Sequence, residues 1–206
     1  MRIGSEVQAL PWGSRVTWLP PAFFATALLY ASVGFGGGST YNALLSLAGF
    51  DYRLLPIVSL CCNVVVVSGG TLRFARAGVT PWKRALVLAL IAAPLAYLGG
   101  RTPIREETFL VLLGFSLVAA GLALFLPRQS DDPADPAPLA RFMPLAVAPL
   151  GYLAGLVGIG GGIFLAPLLH LTRWANGKAI AATTSLFILI NSLAGLYGQA
   201  VKNGAG

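Results

Sequence analysis

Charge is what this chain of 206 residues has least of. Asp, Glu, Lys and Arg make up 10% of it, against about 25% in an ordinary soluble domain. Whole stretches have none: residues 17–50, 54–72, 85–100, 108–127, 142–172 and 179–201 contain no Asp, Glu, Lys or Arg. A carboxylate relay of the kind that moves protons through a pump therefore has no candidate inside these stretches. Cysteine is nearly absent too. Cys61 and Cys62 are adjacent in an apolar stretch, where neighbours rarely meet disulfide geometry, and they read as small packing residues. His170 is the single histidine. It lies near the end of its stretch, in an interfacial or packing position, and one histidine cannot build a metal site. No Ser-His-Asp set, His-Glu-x-x-His or phosphate loop is present. The sequence offers no catalytic residues, no metal ligands and no cofactor site, so it is not read as an enzyme.

What is present is apolar: 56% of the residues. A spanning helix needs about 20 apolar residues, with about 17 as a lower limit. Five of the six stretches reach that length, and 85–100 is marginal at its ends. This predicts an all-α integral membrane protein with about six spans. The first stretch runs far beyond the roughly 7–15 residues of a signal-peptide core, so it reads as a retained span. The net charge of +7 is scattered through short loops; it points to membrane orientation and not to nucleic acid. With every stretch crossing once and the N-terminus inside, Arg2, Arg15, Arg73, Arg76, Lys83, Arg84, Arg128, Arg141 and Lys202 fall inside. Arg53, Arg101, Arg105, Arg173 and Lys178 fall outside. The positive-inside rule then favours N-inside. A re-entrant hairpin in either glycine-rich stretch would change the count.

Two copies of one glycine-rich word interrupt the apolar stretches: Gly34-Phe35-Gly36-Gly37-Gly38 and Gly158-Ile159-Gly160-Gly161-Gly162. Glycine costs a helix interior about 1 kcal/mol relative to alanine, so four in five positions should open the helix. Residues 20–47 as one helix would be about 42 Å long, more than the hydrocarbon core of about 30 Å. A break at the glycines removes the excess. Aligning the words places Ser59-Leu60 opposite Ser185-Leu186 and Gly69 opposite Gly195. The chain thus reads as two homologous repeats with Gly-interrupted first helices. The first occupies 1–126 and the second 142–206, joined by a polar Pro/Asp-rich linker at 127–141. The second repeat has two fewer helical stretches than the first, and is expected to be incomplete.

Broken backbone at membrane depth is tolerated where it is buried in protein or lines a cavity, and paired breaks in two repeats point to a transporter's binding site. Helix-start N–H groups with a positive dipole end make an anion site without a fixed cation. The candidate substrate-binding residues are therefore Gly36, Gly37, Gly38, Gly160, Gly161 and Gly162, with Ser59, Asn63, Thr184 and Ser185 from the following helices. Ser59 and Asn63 share a helix face. Hydroxyls and amides also serve as interhelical glue, and small residues as close-packing points; both readings stand beside the functional one.

The paired words, with Ser59-Leu60, Thr184-Ser185-Leu186, Gly69 and Gly195, resemble the TauE/SafE family of sulfite exporters and related permeases. The resemblance runs from about Pro20 to Gln199. It implies a multi-pass permease of the bacterial inner membrane, moving a small anion such as sulfite or an organosulfonate. The expected partners are that anion and the lipid bilayer, with no nucleic acid. A non-transporting membrane subunit and a transporter for a non-sulfur solute are the competing readings.

Overall fold

The computed structural model describes residues 17–124 and 142–204. The predicted linker and Arg2, Arg15, Arg128 and Arg141 lie outside the described residues. Within them the chain is all helix: α1 (Leu19–Val33), α2 (Gly38–Leu47), α3 (Leu55–Arg76), α4 (Trp82–Arg101), α5 (Glu106–Leu124), α6 (Met143–Val157), α7 (Gly162–Leu171) and α8 (Gly177–Gly204).

Both glycine words end one helix and begin another. α1 and α6 each have 15 residues and a proline in the first turn, where the missing N–H has no helical partner to lose. Each stops at a left-handed glycine, Gly34 at φ 83° and Gly158 at φ 79°, whose N–H returns to Tyr30 O and Ala154 O respectively. α2 and α7 each have 10 residues and start after a second left-handed glycine, Gly37 at φ 79° and Gly161 at φ 78°. A side chain in this conformation costs roughly 1–2 kcal/mol, so the reversals need glycine. Gly36 is not left-handed, while its counterpart Gly160 is, at φ 79°.

Each elbow folds the chain back on itself. The rings of Phe23 and Tyr41 are 4.8 Å apart, and the Tyr30 hydroxyl lies 2.9 Å from that of Thr40. Side chains of Thr26 and Tyr30 flank Gly37, so α2 runs back beside α1. Gly161 likewise faces Ala154 and the Leu150 carbonyl. At 1.5 Å per residue the longer arm of each hairpin is about 22 Å, short of a full crossing.

The two hairpins open toward opposite ends of the bundle. Arms of the first, through Phe23 and Leu45, pack with Leu55 and Phe109 at the end carrying Arg53. Arms of the second, through Met143, Val147, Leu165 and Leu169, pack with Leu88 and Trp174 at the end carrying Arg84. Their tips meet in the middle. Fold-back changes the sidedness expected from simple crossings: Lys202 and Arg53, placed on opposite sides by the sequence reading, line one cavity.

Among the described residues three helices are long and apolar enough to cross a membrane: Leu55–Arg76, Trp82–Arg101 and Gly177–Lys202. The helix α5 has 19 residues with Glu106 and Glu107 in its first turn. Glycines let α4 approach α6 and α8 backbone to backbone. A Cβ on Gly151 or Gly155 would overlap the Ala92 or Ala96 carbonyl, and one on Gly198 that of Tyr97. This close approach of small residues replaces the hydrophobic drive that lipid does not supply. Cys61 is exposed and Cys62 half-buried, both as free thiols.

Candidate substrate site

The middle of α3 joins the two elbows. Ser59 sits one turn before Asn63, and both are fully buried. The Ser59 hydroxyl lies 2.7 Å from Gly38 O in the first elbow and 2.9 Å from Gly158 O in the second. Asn63 donates from Nδ2 to Ile159 O at 3.2 Å. From α2, Asn42 Nδ2 donates to Val157 O at 2.7 Å. Glycine makes this approach possible: a Cβ on Gly36 would overlap the Asn63 amide, and one on Gly160 would come within 2.8 Å of its Nδ2.

These bonds divide the polarity of the elbows. The carbonyls of Gly38, Val157, Gly158 and Ile159 face side-chain donors. The first N–H groups of α2 and α7 have no carbonyl one turn earlier in their own helix to bond; Gly38, at the start of α2, and Gly160, two residues before α7, lie against the Asn63 amide, and Gly162, at the start of α7, lies against Thr184. Around them stand buried groups with no hydrogen-bond partner: the hydroxyls of Thr184 and Ser192 and the amide oxygens of Asn42 and Asn63. Thr184 borders Gly162, and Ser192 borders Gly160. Leaving such a group unpaired costs about 1–3 kcal/mol, and a polar partner or ordered water ordinarily satisfies it.

The sequence model of the Sulfite exporter TauE/SafE family matches residues 19–205. The chain belongs to the TauE/SafE family. A relative from Sinorhizobium fredii, named "Probable membrane transporter protein", is 33% identical over 183 residues, covering 86% of this chain and 73% of the relative. One of the same name from Methanocaldococcus jannaschii is 25% identical over 193 residues, covering 89% and 72%. No solved structure matches the chain. With its apolar helices, this TauE/SafE member is a multi-pass membrane transporter, and a small solute is its substrate.

In this TauE/SafE chain the structure brings Gly36, Gly37, Gly38, Gly160, Gly161 and Gly162 to one buried place, together with Ser59, Asn63 and Thr184. Ser185 stands apart. Its hydroxyl lies 3.0 Å from that of Thr71 and 3.3 Å from Val67 O, where it braces α3 against α8. The aligned Gly69 and Gly195 also differ: a Cβ on Gly195 would come within 3.1 Å of Gly155 Cα, whereas nothing lies within 4 Å of a Cβ on Gly69. Asn42 and Ser192 join the cluster without having been singled out. Both are polar residues in apolar stretches, but only the fold-back places one against Val157 and the other against Gly160.

Ser59, Asn63, Thr184 and Ser192 are all fully buried. A cavity of about 310 Å³ at the Arg53 end is lined by Tyr52, Arg53, Pro56, Phe109, Leu156 and Lys202, among others. Pro56 also packs on Gly158, so this cavity is one layer of packing away from the second elbow. His170 lies half-buried in the last turn of α7, at the opposite end.

Proposed function

We propose that the chain moves a small oxyanion, such as sulfite or an organosulfonate, held between the hairpin tips. The observation that carries this reading is the division of elbow polarity. Carbonyls that would favour a cation are engaged by Ser59, Asn63 and Asn42, while two helix starts keep their N–H groups and positive dipole ends. The hydroxyls of Thr184 and Ser192 add donors without fixed charge. Desolvating an anion is costly unless it is hydrogen-bonded, and charge-assisted bonds of about 1.5–3 kcal/mol each offset that cost. The Asn63 amide oxygen suits a ligand that carries one proton. The opposed hairpins support an inverted pair of repeats, the arrangement that places a site at the midplane and lets one half rock against the other.

The test is flux through the protein reconstituted in vesicles, offered sulfite, an alkyl sulfonate, chloride and a cationic amine. Oxyanion flux that saturates, and that Gly37→Val and Gly161→Val abolish while both variants still insert, is the expected result. Faster uptake of the amine than of any anion would overturn the substrate class. No flux of any solute would favour the non-transporting subunit.

A further inference from the structure

We propose that the cavity at the Arg84 end binds the phosphate of an anionic phospholipid, with an acyl chain laid along α4. The cavity measures about 390 Å³ and lies between the starts of α4 and α6 and the loop after α7. Lys83 and Arg84 supply its charge, and the Arg84 guanidinium stands over the Trp174 ring at 5.6 Å. Val87, Leu88, Met143 and Pro144 form an apolar floor.

Three observations support a lipid phosphate, and the third separates it from a small free anion. The cations stand in the first turn of α4, where the helix dipole disfavours positive charge, and no acidic residue occupies that turn. An anion seated beside them relieves both. The described carboxylates, Asp51, Glu106 and Glu107, belong to the opposite end of the bundle. Finally, the cavity opens onto an exposed apolar stripe. Val87, Leu90 and Leu98 follow Lys83 along one face of α4 and are 51%, 60% and 48% exposed. From Val87 to Leu98 the stripe runs about 16 Å, close to half the hydrocarbon core. A phosphate at the helix start and a chain down this stripe match both halves of the surface; a lone inorganic anion matches only the first. Trp82, 45% exposed at the same level, is the type of residue that marks the headgroup region.

The end itself is rich in basic residues. Arg73, Arg76, Lys83, Arg84, Arg173 and Lys178 lie there among the described residues, against Arg53, Arg101, Arg105 and Lys202 at the other. The positive-inside rule favours this as the cytoplasmic face, the reverse of the orientation that single crossings gave, since α1 starts at the Arg53 end; there anionic headgroups attract basic side chains.

The experiment is native mass spectrometry of the full chain in detergent, titrated with phosphatidylglycerol and, separately, phosphatidylcholine. Selective retention of phosphatidylglycerol is expected. Lys83→Gln with Arg84→Gln should weaken it about tenfold or more, with thermal stability and phosphatidylcholine adducts unchanged. Arg53→Gln with Lys202→Gln, at the other end, should leave it as in the unaltered protein. Equal retention of the two lipids, or an unchanged affinity in the Lys83/Arg84 variant, overturns the proposal. Displacement of the lipid by millimolar inorganic phosphate or sulfite would instead make the cavity a vestibule for free anions, and overturns it too. So would selectivity that emerges only when Asp131, Asp132 and Asp135 are changed to Asn, since the chain's own carboxylates would then be the occupant. If a folding defect obscures the double substitution, quenching of Trp emission by brominated phosphatidylglycerol, reduced in Trp174→Phe, locates the lipid independently; quenching equal in both overturns the assignment.

Discussion

Ser59 has one hydroxyl proton and two backbone carbonyls within reach, one from each elbow. It therefore acts as a pin between the hairpins before it acts on any solute. Ser59→Ala leaves at least one buried carbonyl without a donor, which costs about 1–3 kcal/mol; thermal unfolding in detergent should show the loss, together with a lower flux. Thr184 differs, because its hydroxyl has no partner. Thr184→Val keeps the shape, and should raise the substrate KM several-fold while leaving stability unchanged or slightly improved. Ser185→Ala should do the reverse: a stability loss of about 1 kcal/mol with the KM unchanged, because this hydroxyl bonds Thr71 and Val67. Measuring unfolding and flux on the same three variants separates brace from ligand. A KM shift in Ser185→Ala with no stability change would reinstate it as a substrate contact.

At the scale of elements, the same residue type does two different jobs. Gly37 and Gly161 are needed for their positive φ; alanine at either adds roughly 1–2 kcal/mol of backbone strain and moves the tip. Gly155 is an ordinary helical residue whose missing side chain lets α4 and α6 touch. Gly155→Val should separate these helices and lower the unfolding temperature sharply. Gly69→Val faces open space and should be tolerated, and may be compared in the same assay. Equal effects at Gly155 and Gly69 would show that close packing around α4 is not what holds the bundle. The pairing of Gly69 with Gly195 was legible from register, yet their environments were not. α6, with Leu60 of α3, covers the α8 face at Gly195, whereas among the described residues nothing covers the corresponding face of α3 at Gly69.

For the whole molecule, the hairpins decide which loops share a side. In a background without Cys61 and Cys62, cysteines introduced at Arg53 and Lys202 should react with an impermeant maleimide from one side of the membrane. Cysteines at Lys83 and Lys178 should react from the other side. Modification of Arg53→Cys and Lys202→Cys from opposite sides would mean that a glycine-rich stretch crosses the bilayer.

Charge-free stretches and paired glycine words determined by themselves that this protein is helical, lives in a membrane and breaks its backbone at two related places. Those features depend on local energetics: backbone groups in lipid must bond within the chain, and consecutive glycines cannot sustain a helix. The direction taken after each break was not legible. A span with an elbow and a re-entrant hairpin have the same composition, and the choice rests on contacts such as Phe23 with Tyr41 and Gly161 with Ala154. The division of the polar residues was hidden for the same reason. Ser59 and Ser185 occupy aligned positions on their helices, but Ser59 meets two elbow carbonyls while Ser185 meets Thr71. A hydroxyl becomes a pin, a brace or a ligand according to which backbone the tertiary structure brings within about 3 Å of it.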